Sequence, residues 1–526
     1  MLGNHTTAQT ITHVLNNPLQ DFQRREQLLQ VDSMLKDLSF AIRPLAFGND
    51  NGKGITKPFI QLQPFQFIQQ FNSRRPLQYN DGSMFATRGW QFHYTAGLKL
   101  QYKNITALLN PEFSWAYNPD FPGFPTDHYN IIWREYYKWL NKIDQPERMN
   151  GMPISRILPG QSRIQYALKG LALGVSTENL WWGPGRFHSL LMTNQAPGFL
   201  HYTLNTIRPL KTPIGTFEGQ LVWGGQLPSS GIRPQETQRA YEGQFLYSPK
   251  DSIHPRILTG GVISWQPRGI KGLFIGLDAA SIRYRHLQQK PAVMGSLFVR
   301  YAMPEEKAEV YFQYGSADRL SFSSAMFSDT IPQGYVAGFH KLFRLSSKEN
   351  DPSCLELGIE LIQMQLTDLS LITNARSWYT HPVIRQGFTN RGEVLGSYAG
   401  PGGNAQRFDV SYIRGRTRIG LEWERRLHNA DFYYAYNYLT GSMDYNRQWV
   451  DLMTSLVWNF PIRNGLLFGQ FSAIRSVNYQ WKSYIPQPVT ADTYFDDGWD
   501  DINLHARMGL KVDLHSSSGR KQEKKK

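Results

Sequence analysis

The sequence predicts an all-β membrane protein: a large antiparallel transmembrane β-barrel of about 16–18 strands, with a few short helices. Three observations predict it. Apolar and polar residues alternate strictly over stretches longer than a soluble strand needs. The 526 residues include 30 Phe, 27 Tyr and 14 Trp, yet no run of roughly 18 apolar residues that would make a membrane helix. The connections between alternating stretches are unequal, with long Gly-, Pro- and Arg-rich segments set against short turns.

The alternation is clearest in WQFHYTAGLKLQY. Trp90, Phe92, Tyr94, Ala96, Leu98, Leu100 and Tyr102 fall on one face. Gln91, His93, Thr95, Gly97, Lys99 and Gln101 fall on the other. A soluble strand typically runs about 5–6 residues, whereas a bilayer-spanning one needs roughly 9–11. LELGIEL sets Leu355, Leu357, Ile359 and Leu361 against Glu356, Gly358 and Glu360, and RIGLEWE sets Ile419, Leu421 and Trp423 against Arg418, Gly420, Glu422 and Glu424. LHARMGLKVDLH repeats the pattern with Leu504, Ala506, Met508, Leu510, Val512 and Leu514 against His505, Arg507, Gly509, Lys511 and Asp513. Charges on one face and apolar residues on the other suit a wet lumen inside a lipid-facing wall. A soluble sandwich or propeller is the competing architecture. Strand length and the lack of a blade-sized repeat count against it.

Two segments read as helix. Over 17–38, Asn17 can cap and Pro18 suits the first turn. Leu15, Leu19 and Phe22, then Leu28, Val31, Leu35 and Leu38, form the apolar stripe. The second segment lies near residues 127–142, in DHYNIIWREYYKWLNKI. There Asp127 stands where a cap is wanted and Ile132, Tyr136 and Leu140 share a face.

The formal net charge is +14, part of it in the terminal GRKQEKKK. The remaining cations are interleaved with acids and form no dense stripe, so nucleic acid is not an expected partner. A dispersed basic excess instead suits anionic polysaccharide or lipopolysaccharide. The single cysteine, Cys354, permits no internal disulfide and no thiolate cluster. The opening MLGNHTTAQTITHVLNN lacks the basic and apolar regions of a signal peptide, so either the chain is cytosolic or the sequence begins at or near the mature protein. There is no HExxH, CxxC, GxSxG, Walker or dinucleotide-binding pattern, and GPGG at Gly400 is followed by no Lys-Ser/Thr. No enzyme, catalytic residue, cofactor or metal is expected. Asp127 beside His128 reads as a cap and a helix-face histidine.

Two stretches hold candidate binding residues. In ENLWWGPGRFH, Trp181 and Trp182 offer faces for sugar rings and Arg186 a partner for hydroxyls or carboxylates, with Asn179 and His188 nearby. The alternative is packing. Neighbouring strand residues point to opposite faces, which puts one tryptophan in an interfacial girdle and the other in the lumen, with Gly183-Pro184-Gly185 as the bend. In the long segment SWYTHPVIRQGFTNRGEVLGSYAGPGGN, Trp378, Tyr379, His381, Arg385, Asn390 and Arg391 offer a surface for acidic sugars. The alternative there is a loop folded into the barrel mouth and closed by Arg–Glu pairs.

FNSRRPLQYNDGSM from Phe71, NPEFSWAYNPDFPGFP from Asn110, STENLWWGPGRFHSLLMTNQAPGF from Ser176, RPLKTPIGTFEGQLVWGGQL from Arg208 and RQGFTNRGEVLGSYAGPGGN from Arg385 occur in order. Together they resemble the Wzi family of outer-membrane capsule assembly proteins, in the form found in Bacteroidetes-type bacteria. The resemblance implies an outer-membrane barrel with extra helices near its periplasmic end. It also implies a non-catalytic lectin that holds capsular or other surface polysaccharide. The expected division is an N-terminal helical segment at the periplasmic mouth (1–50), the barrel with its helical insertion (51–515) and a basic disordered tail (516–526). The rivals are a structural subunit of a larger outer-membrane export or assembly complex, and a sugar-diffusion porin.

Overall fold

The structure, a computed structural model, describes residues 18–31, 35–44, 55–251, 253–286, 289–317, 330–346, 353–372, 375–440, 448–481 and 500–514. Leu15, Asn17 and the tail 516–526 lie outside the described residues.

Strand segments that run on in line across a short irregularity form 55–72, 89–103, 105–116, 154–168 and 201–212. The other wall strands are Leu171–Ser176, Gly215–Leu227, Arg256–Pro267, Leu273–Tyr284, Ala292–Met303, Ala308–Ala317, Gln333–Arg344, Ser353–Gln363, Asn404–Arg414, Thr417–Leu427, Val450–Ile462, Gly465–Val477 and Asp501–Val512. Each pairs antiparallel with the next. The last returns to Phe65–Asn72, so the described residues close an 18-stranded barrel. All four alternating stretches obey their expected faces. Trp90, Ile359, Trp423 and Met508 are exposed on the outside, while Gln91, His93, Glu356, Glu422, His505 and Arg507 are buried inside. This inverts a soluble core, as a wall between lipid and a polar lumen requires.

Connections at one end of the barrel are short, such as 169–170, 213–214, 415–416 and 463–464. Those at the other end are long, such as 73–88, 117–153, 364–403 and 428–449. One strand departs from its neighbours: Leu171–Ser176 has only six residues. Beyond it the chain turns into the lumen over 177–200, and the edge of Ile154–Leu158 facing that gap has no strand partner among the described residues.

Two inward loops, 177–200 and 376–403, fill the lumen as a plug with its own apolar core of Trp182, Leu190, Met192, Trp378, Ile384 and Leu395. Helix α1 (Pro18–Leu29) enters from the short-turn end, where Leu28 packs on Phe274, Ala302 and Leu342 of the wall. The expected helix over 17–38 is therefore shorter. Gln30 takes a left-handed φ of 57°. Its N–H meets Gln27 O at 3.2 Å, and the Val31 N–H meets Glu26 O at 3.1 Å, which closes the helix. The Gln27 amide then holds the carbonyls of Leu35 and Leu38 at 2.7 and 2.8 Å, turning the chain back. Leu35, Leu38 and Phe40 form a small cluster of their own instead of a continued stripe.

Helix α2 (Asn130–Leu140) forms within the second expected segment and buries Ile132, Trp133, Tyr136, Tyr137 and Leu140. Its N-cap is Tyr129 with no side-chain hydrogen bond, so Asp127 does not cap it. Helices α3 (Asp368–Ile372) and α4 (Ala430–Thr440) lie in the long connections.

Ion pairs join plug, α1 and wall. Glu309 takes Arg24 of α1 at 2.7 Å, Arg300 at 2.5 Å and His340 at 3.0 Å. Glu356 takes His340 at 2.7 Å, Arg186 of the plug at 3.3 Å and Arg25 of α1 at 3.7 Å. All of these side chains are buried.

Candidate functional site

The nine residues singled out from sequence fall in the plug and the loops that hold it. Trp181 and Trp182 are both buried and pair with Arg43 and Ile42 in a short ribbon inside the lumen. Neither is in a membrane girdle. Trp182 Nε1 donates to Gln220 Oε1 at 2.8 Å, and the Arg43 guanidinium lies 4.5 Å over the Trp181 ring. The glycines are there because the bend is packed. A Cβ on Gly185 would stand 1.9 Å from the His188 carbonyl, and Gly183 has a φ of 125°. Arg186 reaches Glu356 at 3.3 Å and Asp409 at 3.2 Å in mid-lumen.

The second stretch joins the first. The Tyr379 hydroxyl donates to Leu190 O and accepts from the Ser397 N–H, both at 2.9 Å. Asn390 Nδ2 donates to Pro197 O at 2.9 Å. Trp378 Nε1 donates to Gln333 O of the wall at 2.8 Å. His381 Nδ1 accepts from the Ile384 N–H at 2.9 Å. Arg385 ties Asn141 O at 3.1 Å and Ser248 Oγ at 2.8 Å. Arg391 is half-buried with a φ of 53°, and its N–H meets Pro228 O at 2.9 Å.

A cavity of roughly 200 Å³ opens at the long-loop end, and none of the nine lines it. Its wall combines Tyr136 and Trp139 of α2, Tyr398 of the plug, and Trp449, Tyr479 and Trp481. The Trp449 ring meets those of Tyr479 and Trp481 edge-on at 5.0 and 5.1 Å. His428 stacks on Trp449 at 3.8 Å. Trp449 Nε1 donates to Asp451 at 3.1 Å, and His428 Nε2 stands 2.8 Å from the same carboxylate. Arg75 lies 3.7 Å over the Tyr479 ring and pairs with Asp501 at 2.9 Å. Backbone conformations here are unusual: Asn478, Gln480 and Trp481 have φ of 50°, 56° and 52°. Such strain persists only where the surroundings over-determine it, and it clusters at functional sites.

Residues of the lining also hold polar atoms without protein partners, sealed beneath its surface: Nε1 of Trp139 and Trp481, Oε1 of Gln145 and Nδ2 of Asn429. Burial raises the carboxyls of Glu147 and Glu393, the latter to about 8 against the opposing pull of Gln78, Arg156 and Gln195. Burial thus favours the neutral form of the Glu393 carboxyl. Flat apolar rings interspersed with polar side chains such as Arg75, Gln78 and His428 suit a ligand with apolar ring faces and many hydroxyls.

Sequence reading passed over Trp449, Tyr479 and Trp481. A signal was present. They bracket the hairpin Val450–Ile462 and Gly465–Val477 at the ends away from its two-residue turn, so register counted from Arg463-Asn464 sends all three to the long-loop mouth.

The raised Glu393 carboxyl gives a pH prediction. Between its ordinary value of 4.5 and about 8 the unfolded chain ionises this group and the folded chain does not. The folded state then binds more protons, so stability falls as pH rises through that window. Glu393→Gln is expected to raise the apparent melting temperature in detergent by about 2–4 °C at pH 9 and leave it nearly unchanged at pH 4.

No family model matches the chain, and no curated protein is significantly similar to it. The fold is similar to the solved structure of Wzi, an outer membrane protein involved in group 1 capsule assembly in Escherichia coli and described as a carbohydrate-binding β-barrel. The TM-score is 0.61 with 11% identity over 96% of this chain and 99% of that one. Weaker likenesses include Acinetobacter baumannii OccAB1, with TM-score 0.43 and 8% identity over 88% and 97% of the two chains. Another is Pseudomonas aeruginosa OccK2 in complex with glucuronate, with TM-score 0.42 and 9% identity over 89% and 100%. At these identities the likeness shows the fold: a large antiparallel β-barrel of the outer-membrane kind.

Proposed function

We propose that this chain is an outer-membrane barrel of the Wzi type that holds surface polysaccharide non-catalytically at its long-loop mouth. The observation that carries the reading is the mouth cavity, where stacked and edge-on aromatic rings stand among polar side chains. The wall, with apolar side chains outside and charges inside, supports a place in the membrane, with the short turns on the periplasmic side. Lipopolysaccharide is then its lateral neighbour. A long polymer offers many repeats to many copies of the protein, so weak single sites combine into firm attachment. The filled lumen favours a holding role over a diffusion channel. As a scaffold in an export complex, the chain would need no aromatic cavity.

The test is binding of the detergent-solubilised chain to polysaccharide purified from its own organism. Removing one ring should cost about 1–1.5 kcal/mol, so Trp449→Ala is expected to weaken binding about tenfold. Trp378→Ala and Arg385→Ala, outside the cavity, should leave the affinity of the folded fraction unchanged. No binding by folded, heat-modifiable protein would move the assignment to the scaffold.

A further inference from the structure

The side chains that could bring charge to the mouth cavity are Arg75, Arg426, His428, Glu147, Glu393 and Asp451. The basic ones are already matched. Arg75 pairs with Asp501 at 2.9 Å and lies 3.7 Å over the Tyr479 ring, and its guanidinium nitrogens are sealed from solvent. Arg426 gives Nε and Nη2 to Glu424 at 3.1 and 2.9 Å and rests 4.5 Å over the Tyr398 ring. His428 stands 2.8 Å from Asp451, and burial lowers its imidazole against the pull of that carboxylate, so the ring is uncharged at neutral pH. Among the described residues, the lining therefore holds no cation without a carboxylate at its side. Arg385 and Arg391, expected from sequence to meet acidic sugars, lie outside it.

The acids are in excess. Glu147 and Glu393 line the cavity beyond those that match the basic groups. Glu147 takes the Phe124 N–H at 2.5 Å, and both oxygens of Glu393 are sealed. The rest of the polar lining is uncharged and includes Gln78, Ser476, Gln480 and Asn503. Amides and hydroxyls both donate and accept, as sugar hydroxyls do.

A carboxylate carried into this cavity would lose its water and find no cation free to replace it, which is costly. It would also stand near the like charge of Asp451. An uncharged pyranose meets neither cost. Its C–H faces suit the rings of Trp449, Tyr479 and Trp481, and its hydroxyls suit the neutral amides. We propose, on the footing that the mouth holds polysaccharide, that its cavity takes an uncharged sugar ring and leaves every acidic sugar of the polymer outside. The cavity then selects by excluding charge, and the basic excess of the chain acts elsewhere on its surface.

The test starts from the full chain in detergent, bound to polysaccharide purified from its own organism. Displacement is measured with methyl glycosides of the polymer's neutral sugars. A second arm uses the matching uronates, which carry a carboxylate in place of the C6 hydroxymethyl group. Ionic strength is held constant at neutral pH. The expected result is that at least one neutral glycoside displaces the polymer and that its uronate needs at least tenfold more. Asp501→Asn unties Arg75 while leaving the lining in place, and should narrow that gap at least threefold. The proposal is overturned if the uronate displaces the polymer as well as its neutral partner does, if no neutral glycoside displaces it, or if a polymer of acidic sugars alone binds. An unchanged gap in Asp501→Asn would overturn it too. Failure of the folded chain to bind the polymer at all is a different outcome: it removes the holding role itself, and the uncharged-ring site falls with it.

Discussion

Replacing residues 377–400 by a short Gly/Ser linker is expected to turn a nearly silent barrel into a conducting one in planar bilayers, with at least a tenfold rise in steady current. A wall of 16–18 strands is wide enough to leave an aqueous channel when nothing fills it. Here the fill is specific. The deleted stretch carries Trp378, Tyr379 and Leu395 of the plug core. Its loss also frees the Leu190 carbonyl and Pro197, which Tyr379 and Asn390 hold. Large steady currents through the unaltered chain would show that the plug does not seal, and would favour the sugar-diffusion porin.

Arg186→Met should be the most damaging single substitution in the lumen. The side chain is buried between Glu356 at 3.3 Å and Asp409 at 3.2 Å. Methionine fills much of the volume but leaves those carboxylates short of a cation, a loss of about 3–5 kcal/mol when a buried pair is broken. The urea midpoint should fall accordingly. Adding Asp409→Asn should recover part of the loss, because the second change removes a charge the first left stranded. Equal midpoints for parent and Arg186→Met would mean that the remaining partners suffice: His340 and Arg25 on Glu356, and Arg418, which stands 3.5 Å from Glu356 and 3.8 Å from Asp409.

The wall was legible because alternation is a local signal. One residue in two meets lipid, so Trp90 to Tyr102 and Leu504 to Val512 carry their faces in the chain itself. The plug was harder, because its contacts join residues far apart in sequence. Arg186 reaches Glu356 and Asp409 across the lumen, and nothing near Arg186 marks those partners. Trp181 and Trp182 read as one girdle and one lumen residue, since adjacent strand residues diverge. In a lumen filled with protein, both directions are buried. The first helix was overdrawn because apolar spacing continued past Gln30 while the backbone reversed. The mouth cavity escaped notice because its rings come from four separate connections, each unremarkable alone.

The six-residue strand Leu171–Ser176 has a consequence for the surrounding lipid. At about 3.3 Å per residue and a tilt near 40°, it spans only roughly 15 Å of bilayer normal, against an apolar band of about 25 Å. Acyl chains beside it must compress to meet the wall, whereas those beside the 13-residue strands Val450–Ile462 and Gly465–Val477 need not. The barrel therefore has a thin flank and a thick one. That asymmetry gives it a preferred direction in the plane of the membrane, toward neighbours that relieve the mismatch.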